Sequence, residues 1–358
     1  MATAKIKRFL VGMEAVYGNL ENISNAALNT WVPPPNSGGH RGRYLWTDAF
    51  GVVNFLTLHK ELNEEKYLTL AKRLVVRVHD VLGSTRDGKS RLPGATDDNP
   101  LGGGLRIGKE EEGGPDGDGQ YHHYLTLWMF ALNRLSIASG MATYNDQAIA
   151  LARAIHPRFF IDRTSSSARM VWKISMDMSH PLVSSQGRLD ATTGFVVYSL
   201  LQAAAKNPHA LETDQRALET EIADYQRVMK LRDSVDATHD TLDLGMALWI
   251  AHWFAGEDEW ADELGDNCLV AIYAIFGDER YKTRAVPHRL AFREFGALMG
   301  TKCYTNAGGI VALADSVIEH WGKFLNETEE ELKPITMVMY SAALIPTAFQ
   351  KNGLKPEE

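Results

Sequence analysis

Residues 244–255 read LGMALWIAHWFA, a stretch that is apolar on nearly every face of a helix. Residues 124–135 (YLTLWMFALNRL) and 194–205 (GFVVYSLLQAAA) have the same character. A helix that is apolar all round must be enclosed by other helices, because none of its faces is suited to water. These stretches therefore predict buried, inner helices.

Amphipathic segments alternate with the apolar ones. After Asn63, apolar side chains recur at three- and four-residue spacing at Tyr67, Ala71, Leu74 and Val78, with basic residues on the other faces. This one-sided stripe predicts an outer helix with one wet face. The predicted outer helices are residues 5–28, 64–82, 143–157, 212–231, 258–276 and 306–325. The predicted inner helices are residues 45–62, 121–138, 190–206, 240–255, 289–303 and 332–350.

Evidence for β-strands is poor. The best run, residues 169–175 (RMVWKIS), is short enough to be a hairpin arm within a loop. Because strands and helices do not alternate, an α/β fold is excluded. Wet and dry helices in alternation predict an all-α fold, a single (α/α)6 barrel domain of six helical hairpins over residues 1–358. An open superhelix of repeats is the alternative, although it would expose one face of each inner helix.

The connections between the predicted helices differ in length. Inner-to-outer links are short, as at residues 63–64, whereas outer-to-inner links are long, as at residues 83–120 and 161–189. In a closed double ring all the long links lie at the end where the inner helices begin. Because long loops in a compact domain usually carry function, this mouth is the predicted site, with residues 83–120 as its lid or wall.

An acid followed by a glycine recurs in the first turns of the predicted inner helices. Glycine costs a helix about 1 kcal/mol relative to alanine, and close approach of helices around a narrow axis is the simplest compensation. The acids either complement the helix N-termini or carry chemistry. The four pairs are Asp48 with Gly51, Asp190 with Gly194, Asp243 with Gly245, and Glu294 with Gly296.

Composition narrows the functional classes. The formal net charge of −8 and the isoelectric point near 5.9 argue against a broad surface for nucleic acid or anionic membrane. No apolar run is long enough to span a bilayer, and the first residues show no secretory signal, so a cytoplasmic protein is expected. Cys268 and Cys303 provide neither a disulfide framework nor a cysteine-type zinc site. No phosphate loop or other cofactor motif is present, and no cofactor is predicted.

This alternation of helices resembles the six-hairpin glycosidase-like superfamily of (α/α)6 barrels. The resemblance covers almost the whole chain at the level of architecture, and no motif identifies a subfamily. The group includes unsaturated glucuronyl hydrolases, other glycosidases and sugar 2-epimerases. It implies a carbohydrate-active enzyme whose active site lies where the inner helices start, in agreement with the loop lengths.

Hydrolysis of a glycosidic bond is the first functional hypothesis, with an unsaturated or uronic-acid oligosaccharide among the expected substrates. It requires one protonated and one ionised carboxyl group. Asp118, Asp190 and Asp240 are the candidate catalytic residues, because each lies at or just before a different inner helix. The alternative role of Asp190 and Asp240 is that of helix N-caps.

A sugar 2-epimerase or isomerase is the second hypothesis. Histidine titrates near neutral pH, so a pair on opposite sides of the mouth would act as acid and base. His239 and His288 are the candidates for this pair. A metal-dependent enzyme or a non-catalytic binding barrel is a third possibility, but no helical His-x-x-x-His spacing occurs and no metal ligands are assigned.

The remaining polar and aromatic residues of the mouth are predicted to bind substrate. Converging helix N-termini and arginines favour an anionic sugar or oligosaccharide, and the oligomeric state is left open. The predicted substrate-binding residues are His40, Arg43, Trp46, Asp48, Arg106, Tyr121, His122, His180, Arg293 and Glu294.

Overall fold

The computed structural model describes residues 2–34, 42–114, 116–205, 217–231, 238–286 and 289–355. Contacts divide the chain into two compact units. The central unit comprises residues 25–56 and 64–234, and the terminal unit comprises residues 1–24, 57–63 and 235–358. The division falls within one long helix, so each unit contains part of it.

The central unit is built from helices that follow the predicted alternation. Its helices are α2 (Asn25–Thr30), the first part of α3 (Leu45–Leu62), α4 (Glu65–Leu82), α5 (His122–Ser139), α6 (Ala142–Phe159), α7 (Asp190–Ala205) and α8 (Glu219–Lys230). The apolar helices α5 and α7 pack side by side, and the amphipathic helices α4, α6 and α8 pack against them. Residues Leu125–Ser136 of α5 are all buried, as an inner helix requires.

Among the described residues of the central unit, four short strands pair with one another across its long loops. Strand β1 (Gln120–Tyr121) pairs antiparallel with β4 (Lys173–Ile174), and β2 (Phe160–Ile161) pairs antiparallel with β3 (Arg169–Met170). The β-like run at residues 169–175 thus contains one hairpin arm, β3, as predicted, and a second short strand, β4, that pairs with the distant β1.

The described residues of the predicted lid or wall, 83–114 and 116–120, form a folded wall rather than a loose connection. Leu92, Leu101, Leu105 and Ile107 are buried. The main chain of Ile107 accepts a hydrogen bond from Leu45 at the start of α3 and donates one to Gly119, with N–O distances of 3.0 and 2.8 Å. The wall is therefore attached directly to the beginning of an inner helix.

The terminal unit repeats the same plan. It contains α1 (Ala2–Tyr17), the end of α3, α9 (Thr241–Ala251), α10 (Glu259–Phe276), α11 (Ala291–Tyr304), α12 (Gly308–Gly322) and α13 (Lys333–Leu344). The apolar helices α9, α11 and α13 pack in sequence, α9 on α11 and α11 on α13. The amphipathic helices α1, α10 and α12 lie against them.

Two helices end earlier than the hydrophobic pattern predicts. Helix α1 ends at Tyr17 instead of residue 28, because Gly18 adopts a left-handed φ of 80° and its N–H bonds back to Glu14. Helix α13 ends at Leu344 instead of residue 350. Ile345 precedes a proline and takes an extended conformation, with φ −142° and ψ 93°. In both places, buried apolar residues beyond the end of the helix continue the hydrophobic pattern, and the pattern therefore predicts a helix that is too long.

Candidate functional site

The first turns of α3, α5 and α7 meet within the central unit. Trp46, one residue into α3, lies 6.0 Å from the His123 ring and 5.3 Å from the Tyr124 ring, measured between ring centroids. Asp190, the first residue of α7, has its Oδ1 3.8 Å from His123 Nδ1. These three inner helices therefore bring their N-terminal ends to one place, as the loop lengths predict.

Two aromatic residues from the neighbouring loops complete this group. Tyr121 lies 5.2 Å from Tyr124 and 5.0 Å from Trp172, ring centroid to ring centroid. We call Trp46, Tyr121, His123, Tyr124 and Trp172 the aromatic cluster. The flat faces of such rings are suited to the apolar faces of sugar rings. Trp46 Nε1 is buried and has no hydrogen-bond partner among the described residues, so it is available as a donor.

His123 is the accessible titratable group of the aromatic cluster. Its side chain is 39 % exposed, whereas that of Asp190 is 2 % exposed and that of His122 is fully buried. Asp190 Oδ1 faces both imidazoles, and its Oδ2 accepts a hydrogen bond of 3.1 Å from the Gly187 N–H. A carboxylate behind a partly exposed imidazole is an arrangement used for proton transfer.

Electrostatics favours an ionised Asp190 beside a neutral His123. Burial acts to raise the pKa of Asp190, but interactions with His122 and His123 and the Gly187 N–H outweigh it, so the pKa lies below its ordinary value. Desolvation lowers the pKa of His123, with a further contribution from His122 and against the pull of Asp190. At neutral pH this imidazole is therefore able to accept a proton.

Asp118 holds the wall together. It is buried, and its Oδ2 accepts from Arg86 at 2.8 Å and from Arg106 at 3.0 Å. Its Oδ1 accepts from the N–H groups of Gly108 and Gly119 at 2.9 and 3.0 Å. Both oxygens are thus engaged in structure, and Arg106 is neutralised by the same carboxylate.

Asp48 and Arg43 form a second buried pair near the start of α3. Arg43 Nε lies 2.7 Å from Asp48 Oδ1, and the two side chains are 2 % and 0 % exposed. Arg43 also donates to the Pro34 carbonyl. The pair ties Arg43 to the first turn of α3, so the charges of the two side chains are not available to a ligand.

In the terminal unit, Asp240 is the N-cap of α9. Its Oδ1 accepts from the N–H groups of Leu242 and Asp243 at 2.9 and 3.2 Å, and its Oδ2 pairs with Arg293. The Asp240 and Arg293 side chains are 34 % and 38 % exposed. The capping role expected of Asp240 is present, together with an accessible ion pair.

The Glu294 carboxylate is surrounded by hydrogen-bond donors. Its side chain accepts from Arg289 Nε and Nη2 at 2.9 and 2.7 Å, from Trp321 Nε1 at 2.7 Å, and from the Tyr281 hydroxyl. The Arg289 guanidinium stacks on the rings of Tyr281 and Trp321. This carboxylate clamps Tyr281 and Arg289 onto α11 and α12.

The histidines that the sequence predicts as catalytic or substrate-binding differ in their exposure. His239 is exposed at the start of α9, and His180 is exposed with its Nδ1 2.9 Å from the Ser179 hydroxyl. His40 and His288 lie outside the described residues, so the pairing of His239 with His288 stays a prediction. His122 is buried beneath Asp190 rather than exposed to a ligand.

Sequence reasoning did not select His123 or Tyr124 as site residues. Adjacent residues of a helix point about 100° apart, and an amphipathic pattern normally tells which one faces the core. Because α5 is apolar on most faces, the pattern carries no such information. The available signal was position alone, since both residues lie in the first turn of an inner helix.

The wall also borders an open cavity of about 580 Å³ in the central unit, lined by residues that include Arg86, Asp87, Glu112, Ser175 and Asp177. Within the described ranges, no three His, Cys, Asp or Glu side chains converge to hold a metal ion. No helix in the part of the chain that the structure describes has the length and apolarity needed to cross a membrane.

The fold matches solved structures of (α/α)6 barrels. A family 76 glycoside hydrolase from a bovine Bacteroides thetaiotaomicron strain aligns over 96 % of this chain and 77 % of its own, with a TM-score of 0.60 and 11 % identity. A family 76 glycoside hydrolase (mannosidase) from B. thetaiotaomicron VPI-5482 aligns over 96 % of this chain and 98 % of its own, with a TM-score of 0.55 and 11 % identity.

The predicted all-α (α/α)6 barrel is therefore confirmed. At 11 % identity the likeness shows the fold and carries no residue-by-residue assignment. No protein-family profile matches the sequence, and no curated protein sequence matches it.

Proposed function

We propose that the protein is a carbohydrate-active enzyme that hydrolyses a glycosidic bond. The observation that carries this proposal is the Asp190–His123 pair within the aromatic cluster, at the first turns of α3, α5 and α7. Two glycoside hydrolases share the fold, which supports the same class of reaction. Aromatic rings around a proton-transfer pair are what binding and cleaving a sugar require.

Asp190 is proposed as the ionised carboxylate of the reaction. Its pKa lies below the ordinary value because interactions with the two histidines and the Gly187 N–H outweigh its burial. Asp240 lies in the terminal unit, where it caps α9 and pairs with Arg293, and it stays a candidate on the sequence argument alone. Asp118 is the weakest of the three candidates, because two arginines and two backbone N–H groups occupy its oxygens.

Paired charges reduce the case for an anionic substrate. Arg43, Arg106 and Arg293 are each bonded to an aspartate, so little positive charge is left for a ligand. We therefore propose that neutral oligosaccharides, including mannosides, be tested beside uronic-acid and unsaturated oligosaccharides.

The test measures release of reducing sugar from this substrate panel by wild-type protein and three variants. Asp190→Asn is expected to lower turnover at least about a hundredfold, because it removes the ionised oxygen that faces His123. Asp240→Asn tests the sequence prediction that this residue is catalytic, and a loss of turnover in this variant is the expected result of that prediction. Asp118→Asn is the matched control and should act through stability alone. Full activity of Asp190→Asn would overturn the proposal.

A sugar epimerase or isomerase is the second candidate, and one observation favours it. His123 is partly exposed, neutral at pH 7 and backed by a carboxylate, which suits it to removing a proton next to a carbonyl group. Incorporation of deuterium from solvent at C2 of a reducing sugar would identify this reaction, since hydrolysis leaves that hydrogen in place.

A further inference from the structure

The buried side of Asp190 faces a hydrogen-bonded pair formed by α5 and α8. His122 Nδ1 lies 3.5 Å from Asp190 Oδ1, and His122 Nε2 lies 2.8 Å from the Tyr225 hydroxyl oxygen. Both His122 and Tyr225 are fully buried. One line of polar atoms therefore runs from Asp190 at the candidate site through His122 to Tyr225 in the core.

The chemistry of the three groups selects one tautomer for a neutral His122 ring. An ionised carboxylate only accepts hydrogen bonds, so a stable contact with Asp190 requires the proton of neutral His122 to be on Nδ1. Nε2 then has a lone pair, and the Tyr225 hydroxyl is the donor placed to satisfy it. Among the described residues His122 Nδ1 has no hydrogen-bond partner within ideal geometry, which leaves Asp190 as the acceptor that it faces.

Gly194 makes this arrangement sterically possible. A Cβ atom at this position would lie 2.4 Å from Cε1 and Cζ of the Tyr225 ring. Gly194 is four residues after Asp190, so the two lie on the same face of α7, one turn apart. Asp190 and Gly194 are thus both linked to Tyr225. Gly194 contacts the ring of Tyr225 directly, whereas Asp190 faces His122, which is hydrogen-bonded to the Tyr225 hydroxyl.

We propose that Tyr225 and His122 are positioning residues for Asp190: the tyrosine hydroxyl holds His122 as the Nδ1–H form, and this N–H directs the carboxylate toward His123. The proposal rests on the role of Asp190 proposed above. The titratable groups that face Asp190 are His122 and His123 on α5 and Tyr225 on α8. We call His122 and Tyr225 the relay. Asp190 Oδ2 is held by the Gly187 N–H, so the relay determines the surroundings of Oδ1.

The first test reads the proton on His122 directly and needs no substrate. In full-length protein labelled with ¹⁵N-histidine, and with His122 assigned by its loss in His122→Asn, wild type should show the neutral Nδ1–H form. Tyr225→Phe keeps the ring and removes the donor, so the single Nδ1–H form should be lost. Tyr340→Phe is the control, because it removes a hydroxyl of the terminal unit that accepts from Arg8 Nε at 2.7 Å, and it should leave His122 unchanged.

Gly194→Ala is a second variant that displaces the ring without removing its hydroxyl, and it should alter His122 in the same direction as Tyr225→Phe. Circular dichroism and the melting temperature establish that each variant is folded. An Nε2–H form in wild type, or a His122 spectrum unaffected by both variants, would overturn the relay.

Activity separates this proposal from the broader one. In Tyr225→Phe, kcat should fall about tenfold, the factor that corresponds to one hydrogen bond, with KM unchanged. The acid limb of its pH profile should move to higher pH, because a carboxylate that loses a donor has a higher pKa. If the His122 spectra behave as expected but no sugar is turned over, the relay stands and the proposed function fails. If turnover is found but kcat and the pH profile are unchanged in Tyr225→Phe, the positioning role fails.

Discussion

The acid-then-glycine pattern serves different ends in the two compact units. In the central unit, Gly194 gives room to the ring of Tyr225. In the terminal unit, Gly245 and Gly296 allow the backbones of α9 and α11 to touch, since a Cβ on Gly245 would lie 2.0 Å from the Gly296 carbonyl oxygen. The same two-residue signal therefore marks an aromatic contact in one unit and a helix–helix contact in the other.

The acids differ in a corresponding way. Asp190 faces two imidazoles, one of which is partly exposed. Glu294 is enclosed by Arg289, Tyr281 and Trp321, which use both of its oxygens. A carboxylate that is saturated with buried donors stabilises the fold, whereas one beside an accessible imidazole is available for chemistry.

The largest effect is expected where helices α9 and α11 touch. A Cβ introduced by Gly245→Ala would meet Gly296 and Ala297 backbone atoms at 2.0 to 2.4 Å, so the helices must move apart. We expect the free energy of unfolding to fall by about 3 kcal/mol or more, measured by urea denaturation. Gly308→Ala, at the start of α12 with nothing within 4 Å of its Cβ, is the control and should change stability by less than about 1 kcal/mol. Equal urea midpoints for the two variants would contradict the packing role of Gly245.

Glu294→Gln tests whether the terminal unit uses its acid as a clamp. The substitution leaves the Arg289 guanidinium, which is 6 % exposed, without its counter-charge. We expect a loss of about 3 kcal/mol in unfolding free energy. Asp240→Asn is the comparison in the same unit, because its ion pair is about one-third exposed and asparagine caps helices equally well. It should cost less than about 1 kcal/mol; a cost equal to that of Glu294→Gln would remove the distinction between them.

The effect that is smallest at each step of its measurement concerns the pH dependence of the central unit. His79 is half-buried and accepts from Trp128 Nε1 at 3.1 Å, and desolvation lowers its pKa from 6.5 to about 4. The unfolded chain binds this proton first as the pH falls. The contribution of His79 is therefore complete above pH 6.5 and is lost between pH 6.5 and 4, with a slope of about 1.4 kcal/mol per pH unit.

His79→Gln keeps an acceptor for Trp128 and removes the titration. Unfolding free energies at several pH values between 4 and 7 should show a shallower slope for the variant than for wild type. Asp190 acts in a separate window, because its lowered pKa places its loss of stability below its ordinary value of 3.8. An unchanged slope in His79→Gln would assign the pH dependence to other groups, of which His156, with a pKa lowered to about 4, is the next candidate.

Part of the candidate site was predictable from the sequence. Trp46, Tyr121 and Asp190 were selected because they begin inner helices, and they are found in or beside the aromatic cluster. His123 and Tyr225 were not selected. His123 lies on a helix without a wet face, and Tyr225 matches the apolar stripe of an outer helix, where its hydroxyl gives no sign of a buried polar partner.

The amino-acid sequence by itself determined the alternation of inner and outer helices, the all-α class and the meeting of the first turns of α3, α5 and α7 in the central unit. These features depend on hydrophobic periodicity and loop length, which are local properties of the chain. Only the tertiary structure decided which acids are enclosed by arginines and which face an imidazole. Asp118, Asp190 and Glu294 all lie at or near the start of an inner helix, but Arg86, His122 and Trp321, which face them, are distant along the chain, and local patterns do not specify such contacts.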